Sequence, residues 1–290
     1  MLLTTEIASL AKIFGEKEAI RIISEAGFDA YDISLFELSR DENHYFNGDD
    51  YREKAKELRE YADSLGLVCN QSHAPFHSSY GDPEKDEWMF GKIVRAIEIA
   101  SICGAKIIVV HPKQHLNYAE HIDELFKMNV EFYNRLVPYA EKFGIKIATE
   151  NMWQNNNGVR SITDSTCSRA WEFCKYIDAI DSEWLVGCLD IGHVSLVGAN
   201  IPEFIKTMGN KRLQALHIHD TDFARDLHTL PFTQKIDYIS VCKALKEIGY
   251  EGDFTFEADS YYKNFPKDFC PQAAEFMCKV GRRLIAEIEN

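Results

Sequence analysis

A chain of 290 residues, 46% hydrophobic and 27% charged, has the composition of an ordinary globular protein, with ample material for a core and no apolar run long enough to span a membrane. Its formal net charge of −14 argues against a nucleic-acid or membrane-surface partner, because affinity for phosphate backbones comes mainly from clustered Lys and Arg. The N-terminus carries charge by Lys12 without a small-residue cleavage pattern, and the eight cysteines show no C-x-x-C spacing, so a cytoplasmic chain with reduced, buried thiols is expected.

Along the chain, short β-rich runs alternate with longer segments of helical spacing, the pattern of βαβ units. A weak first strand at 2–7 precedes a helix at 17–26. Strand 28–35, a polar loop at 40–50 and helix 51–65 follow, then strand 67–72 with helix 84–103. Strand 106–110 leads to helix 119–143, and strand 145–149 leads, across a polar loop at 154–158, to a helix near 164–180. Strand 184–189 precedes a helix opening at Ile201-Pro202; strand 213–217 precedes helix 236–248; strand 253–257 precedes a last helix near 271–288. Several of these helices stop at a glycine, as at Gly66 and Gly104. Eight such cycles without a long linker predict one domain over residues 1–290, folded as a single (β/α)8 TIM barrel rather than an open doubly wound sheet.

In such a barrel the C-terminal ends of the strands, with the loops after them, converge on the face where active sites sit. Those positions read His73 in QSHAPFH, His111 in VVHPKQH, Glu150 in IATENMW, Asp190 and His193 in CLDIGH, His217 in LHIHD, Asp226 and His228 in DLH, and Glu257 in FTFEAD. Singly each has a plain structural reading: a hydrogen-bonded core His, a Glu150 paired with Arg160, an Asp190 closing a turn. In Asp-Ile-Gly-His a carboxylate and an imidazole flank a flexible glycine, so both can turn towards one ion. Jointly, four carboxylates on one partly buried rim would repel one another unless a cation compensates them. A divalent metal is the expected compensator; mixed His and carboxylate ligation suits Mn²⁺, Co²⁺ or Zn²⁺ and admits Mg²⁺.

The succession His73, His111, Glu150, Asp190-x-x-His193, His217-x-x-Asp220, Asp226-x-His228 and Glu257 resembles the xylose-isomerase-like barrel superfamily of sugar and sugar-phosphate isomerases and epimerases, which also contains endonuclease IV. The resemblance implies one metal held by Glu150, Asp190, His217 and Glu257. Glu150 and Glu257 would flank the substrate as acid/base groups for proton transfer through a metal-stabilised enediolate. His73, His111, His193, Asp226 and His228 are expected either to hold further metal, as in the three-zinc set of endonuclease IV, or to line the substrate pocket. For that pocket Trp153, Lys113, Arg160, Arg225 and His219 are the candidates, the cations for a phosphate or carboxylate; His219 and Asp220 could equally orient ligands. The expected activity is therefore a metal-dependent isomerase or epimerase of a small carbohydrate, with no nucleic acid or membrane partner and a homo-oligomer left open. The rivals are an endonuclease IV-like multi-metal phosphodiesterase and a non-catalytic sugar-binding barrel.

Overall fold

The computed structural model describes residues 1–156 and 161–290. Ten strands occur among them: β1 (Leu3–Glu6), β2 (Ala30–Ser34), β3 (Val68–His73), β4 (Ile107–Val109), β5 (Lys146–Glu150), β6 (Trp153–Asn155), β7 (Ile162–Asp164), β8 (Leu185–Asp190), β9 (Leu213–His217) and β10 (Phe254–Phe256). The helices are α1 (Ala8–Phe14), α2 (Glu16–Ala26), α3 (Tyr51–Ser64), α4 (Pro83–Cys103), α5 (Tyr118–Phe143), α6 (Ala170–Ile180), α7 (Ile191–Leu196), α8 (Ile201–Arg212), α9 (Tyr238–Glu247) and α10 (Cys270–Glu289). Eight parallel strands follow one another in the order β10-β1-β2-β3-β4-β5-β8-β9. The circle closes where Ile218 bridges Phe256 in parallel and Glu257 N donates to the Ile218 carbonyl. This is a (β/α)8 barrel, and the weak first run at 2–7 is a full member, paired on both sides.

Side chains alternate across each strand, so residues two apart face the same way. Inside the barrel this stacks the site on a floor of small apolar groups. Ala148 lies one step below Glu150, Cys188 below Asp190 and Ala215 below His217, and with Val109 and Val186 they form a separate buried cluster. The larger core lies outside the barrel, where Ile147, Leu189, Leu216 and Phe256 meet the helices. Helix ends follow local chemistry: Asp82 and Asn200 cap α4 and α8 through side-chain oxygens, and Pro83 and Pro202 occupy first turns. Gly104, at φ +102°, closes α4 in a left-handed conformation that a side chain would resist. All eight cysteines are free thiols. No helix of the described residues is long and apolar enough to cross a membrane.

Three elements differ from the expectation. Residues 8–14 form α1, separated from α2 at Gly15, because Leu10 anchors a short helix in the core. The helix expected near 164–180 starts at Ala170, because Ile162–Asp164 pairs antiparallel with Trp153–Asn155 as a hairpin over the barrel mouth. The third is α7, directly after β8, where Asp190 Oδ1 accepts from His193 N at 2.6 Å and caps the turn.

One buried acid in this framework yields a pH prediction. Glu172, 2% exposed in α6, accepts the Cys167 N–H, yet burial pushes its carboxyl up from 4.5 to about 7, with Asp164 adding to the effect. The unfolded chain releases this proton near pH 4.5, so the stability from Glu172 is intact below that value and is lost as pH rises through about 7. Between pH 4.5 and 8 the wild type should therefore lose about 2–3 kcal/mol more stability than Glu172→Gln. Urea unfolding of both proteins at the two pH values measures it; equal losses would refute the assignment.

Candidate metal centre and active site

Among the described residues the donors meet in three main groups, in each of which the donor atoms lie within 4.8 Å of one another, and His73, His217 and Glu257 form a fourth that joins the first two. In the first, His73 Nε2 and His111 Nε2 are 3.0 Å apart, and Glu150 Oε2 stands 3.6 Å and 3.0 Å from them. In the second, Glu150 joins Asp190, His217 and Glu257. Here His217 Nδ1 lies 3.3 Å from Glu150 Oε1 and 3.1 Å from Glu257 Oε2. The third gathers His193, Asp226 and His228 with His219: Asp226 Oδ2 is 3.5 Å from His193 Nε2, and its Oδ1 is 3.2 Å from His228 Nε2.

These groups fit divalent ions on two counts. Donors bound at about 2.0–2.1 Å in a tetrahedral shell stand roughly 3.3 Å apart, the scale of the separations above. In addition, Glu150 Oε2, His217 Nδ1 and Asp226 Oδ1 are buried atoms without a hydrogen-bond partner, although buried polar groups are ordinarily paired. Their close contacts lack hydrogen-bond geometry and point at a shared centre.

The electrostatics carry the same demand for positive charge. Burial would lower His193, but the carboxylates of Asp190, Asp226 and Glu150 outweigh it and push the imidazole up to about 10. His217 and His228 are raised well above the ordinary value against the same burial, His217 by Cys188 ahead of Glu257 and Glu150 and His228 by Asp226 with Glu257, while His111 is lowered because burial prevails. In return, despite burial, Glu257 is held down to about 2 by His217 and His228, and Glu150 lies well below the carboxylate range beside His217 and His111. Buried carboxylates here are stable as anions only opposite a cation.

Supporting contacts fix the donors. Asn151, next to Glu150, exchanges two hydrogen bonds with the Asp190 backbone and receives His193 Nδ1 on its carbonyl at 2.8 Å, tying the end of β5 to β8. His219 is fully buried, with Nε2 3.0 Å from both Asp190 oxygens and its ring stacked 3.9 Å from His228, so it is the deep member of the third group and lies outside the cleft lining. Asp220 accepts from the backbone N–H groups of Thr221, Gln234 and Ile236 and organises the loop that carries Asp226 and His228.

A cleft of about 690 Å³ opens over the centre, with Glu150, His111, His193, Asp226, His228 and Glu257 in its lining. Trp153 lines it too, and its Nε1 donates to Asp226 Oδ2 at 3.2 Å. Two of the three expected cations are elsewhere. Lys113 Nζ lies 3.8 Å from Asp86, outside the cleft lining, and Arg225 pairs on the surface with Asp222. Arg160 lies outside the described residues. Residues that sequence reasoning missed take those places: Arg40 after β2, Phe76 after β3, and Asp259, whose Oδ1 is 3.7 Å from His228 Nδ1. Asp259 follows Glu257 by two residues, a signal that strand-end spacing could have supplied.

Comparison with known proteins agrees with this architecture. The sequence profile of the xylose isomerase-like TIM barrel family matches residues 20–280. The uncharacterized protein MJ1311 of Methanocaldococcus jannaschii is 30% identical over 241 residues, covering 81% of this chain and 76% of that protein. Fructoselysine 3-epimerase of Shigella flexneri is 24% identical over 264 residues, covering 89% of this chain and 91% of the epimerase. Among solved structures, a D-tagatose 3-epimerase-like protein superposes with a TM-score of 0.76 at 24% identity, covering 99% of this chain and 98% of that one. Barrel, strand-end ligand pattern and sequence profile agree: the chain belongs to the xylose isomerase-like TIM barrel family.

Proposed function

We propose that the protein is a metal-dependent isomerase or epimerase of a small carbohydrate, working by proton transfer through an enediolate. The observation that carries this reading is the second ligand group, in which Glu150 and Glu257, from β5 and from the end of β10, both reach His217 and both line the cleft. When bound there, a divalent ion supplies Lewis-acid polarisation of substrate oxygens. The chain's own part is the proton traffic. Moving a proton at carbon beside a carbonyl requires a base within hydrogen-bond reach, and inverting the centre requires a partner on the opposite face. Glu150 and Glu257 are both anionic at neutral pH, because the facing imidazoles outweigh burial. They reach the cleft from strands separated by β8 and β9, which suits one carboxylate per substrate face. Trp153, held by its hydrogen bond to Asp226, supplies an apolar wall against a sugar ring.

The expected result is uptake of solvent deuterium at the carbon beside the carbonyl when metal-loaded protein is incubated in D₂O with a panel of ketoses and keto-inositols. No deuterium in any member would count strongly against the proposal. A second reading, the endonuclease IV type of phosphodiesterase, is favoured by one observation: His193, Asp226 and His228 complete a third donor group beside the two that share Glu150. The net charge of −14 weighs against a DNA substrate. Incision of an abasic-site duplex by the same preparation decides for it, and none is expected.

A further inference from the structure

The cleft is electrically lopsided. One end holds the anionic donors, Glu150, Asp226 and Glu257, with Asp259 beside them. On the far side of Phe76 stands Arg40, the one Lys or Arg among the described residues that line the cleft. It follows the 3₁₀ turn Phe36–Ser39 after β2. Its guanidinium carbon sits 4.4 Å from the Phe76 ring centroid, Nη2 donates to the Phe76 carbonyl at 3.3 Å, and the Phe76 ring stacks 4.8 Å from His111. The positive charge is thereby held within about 9 Å of the His111 imidazole.

Most of that charge is left for a ligand. A guanidinium has five N–H donors, and the Phe76 carbonyl takes one of them. Glu37 Oε1 is 3.6 Å from Nη1, but both side chains are about half exposed, at 50% and 44%, and such a pair is weak in water. Nearby, His77 is lowered first by burial and then by Arg40 and Lys85.

We propose that the substrate carries an oxyanion, a terminal phosphate or carboxylate, at the end remote from the reacting carbon, and that Arg40 binds it. This rests on the isomerase reading above. With the donor carboxylates compensated by their cation, Arg40 is the one Lys or Arg of the described lining left for the anion, and it favours the orientation that sends the anion to Arg40 and the keto end towards Glu150 and Glu257. The reach fits a short sugar, since four or five bonds of about 1.5 Å each, closed by a hydrogen bond of about 3 Å at the guanidinium, span a distance of this order. A planar fork stacked on an aromatic ring is also the group that binds phosphate or carboxylate bidentately.

The test is direct binding, by calorimetry on metal-loaded wild type, Arg40→Ala and Arg40→Lys. The probes are matched ketoses: D-fructose, D-fructose 6-phosphate and D-fructuronate, with D-ribulose and D-ribulose 5-phosphate. Wild type should bind an anionic member at least about tenfold more tightly than its neutral partner. That ratio should fall to near one in Arg40→Ala and recover in part in Arg40→Lys, while melting temperatures show all three proteins folded. Preference for the phosphates over D-fructuronate, or the reverse, identifies the oxyanion. Equal affinity within every pair, or a preference that survives Arg40→Ala, overturns the proposal. So does Arg40-dependent capture of an abasic-site duplex with no ketose bound. Because binding is read without turnover, Arg40-dependent tightening without deuterium uptake would leave the anion site standing and remove only the isomerase.

Discussion

Glu150→Gln is expected to lower turnover by about 10³-fold and to leave the purified protein depleted of its metal. Glu150 is the one residue common to the His73–His111 group and the Asp190–His217–Glu257 group, with one oxygen facing each. An amide keeps the volume and one oxygen but loses the charge and the second acceptor, so both groups lose an anionic donor at once. It also cannot take a proton from carbon, which would remove one of the two proposed acid/base groups. Elemental analysis after dialysis, together with the deuterium assay, reads the two effects separately. Glu150→Asp, which keeps the charge on a shorter arm, should retain more metal than Glu150→Gln while still losing activity. A Gln variant with full metal content and full rate would remove Glu150 from the centre. A melting temperature close to wild type distinguishes site chemistry from unfolding, and the small residues beneath Glu150 leave the barrel floor unchanged.

How far the site was legible depended on where each residue sits relative to a strand. His73, Glu150, Asp190 and His217 are the last residues of their strands, and Glu257 directly follows one, so their place at a strand end announces them, although only Asp190, His217 and Glu257 close a mainly apolar run. Once the strands close into a barrel, convergence follows from geometry. Asp226 and His228 lie on a loop whose path is set by Asp220 and by the left-handed backbone of His228 at φ +45°, so their meeting with His193 depends on tertiary structure. Arg40 was read as part of a polar loop, because stacking on Phe76 joins two segments that are separate in sequence. Lys113 and Arg225 illustrate the converse: a nearby carboxylate, Asp86 or Asp222, draws each aside. The hairpin over the barrel mouth was hidden because its strands are three residues each and largely polar.

Sequence alone makes the glycine of Asp-Ile-Gly-His a source of flexibility; the structure gives it another reason. Gly192 lies in α7, fully packed, and a Cβ there would stand 2.1 Å from His219 Cε1 and 2.5 Å from Nε2. The imidazole has no room to retreat: His228 is stacked 3.9 Å away at an interplanar angle of 6°, and Nε2 is fixed 3.0 Å from both Asp190 oxygens. A methyl group at residue 192 must therefore displace the ring that orients Asp190, and through it His228. Gly192→Ala is expected to cost about 1–3 kcal/mol of stability by overpacking. Metal affinity should fall about 10–100-fold, the usual effect of disturbing a residue that orients a ligand. Chelator competition and denaturant unfolding measure the two. The cost should be much smaller in a His219→Ala background, where the ring that meets the methyl is gone, and that coupling is what separates a local collision from general damage to α7. Equal costs in both backgrounds, or wild-type metal affinity in Gly192→Ala, would show that the close approach of Gly192 and His219 does not hold the centre in place.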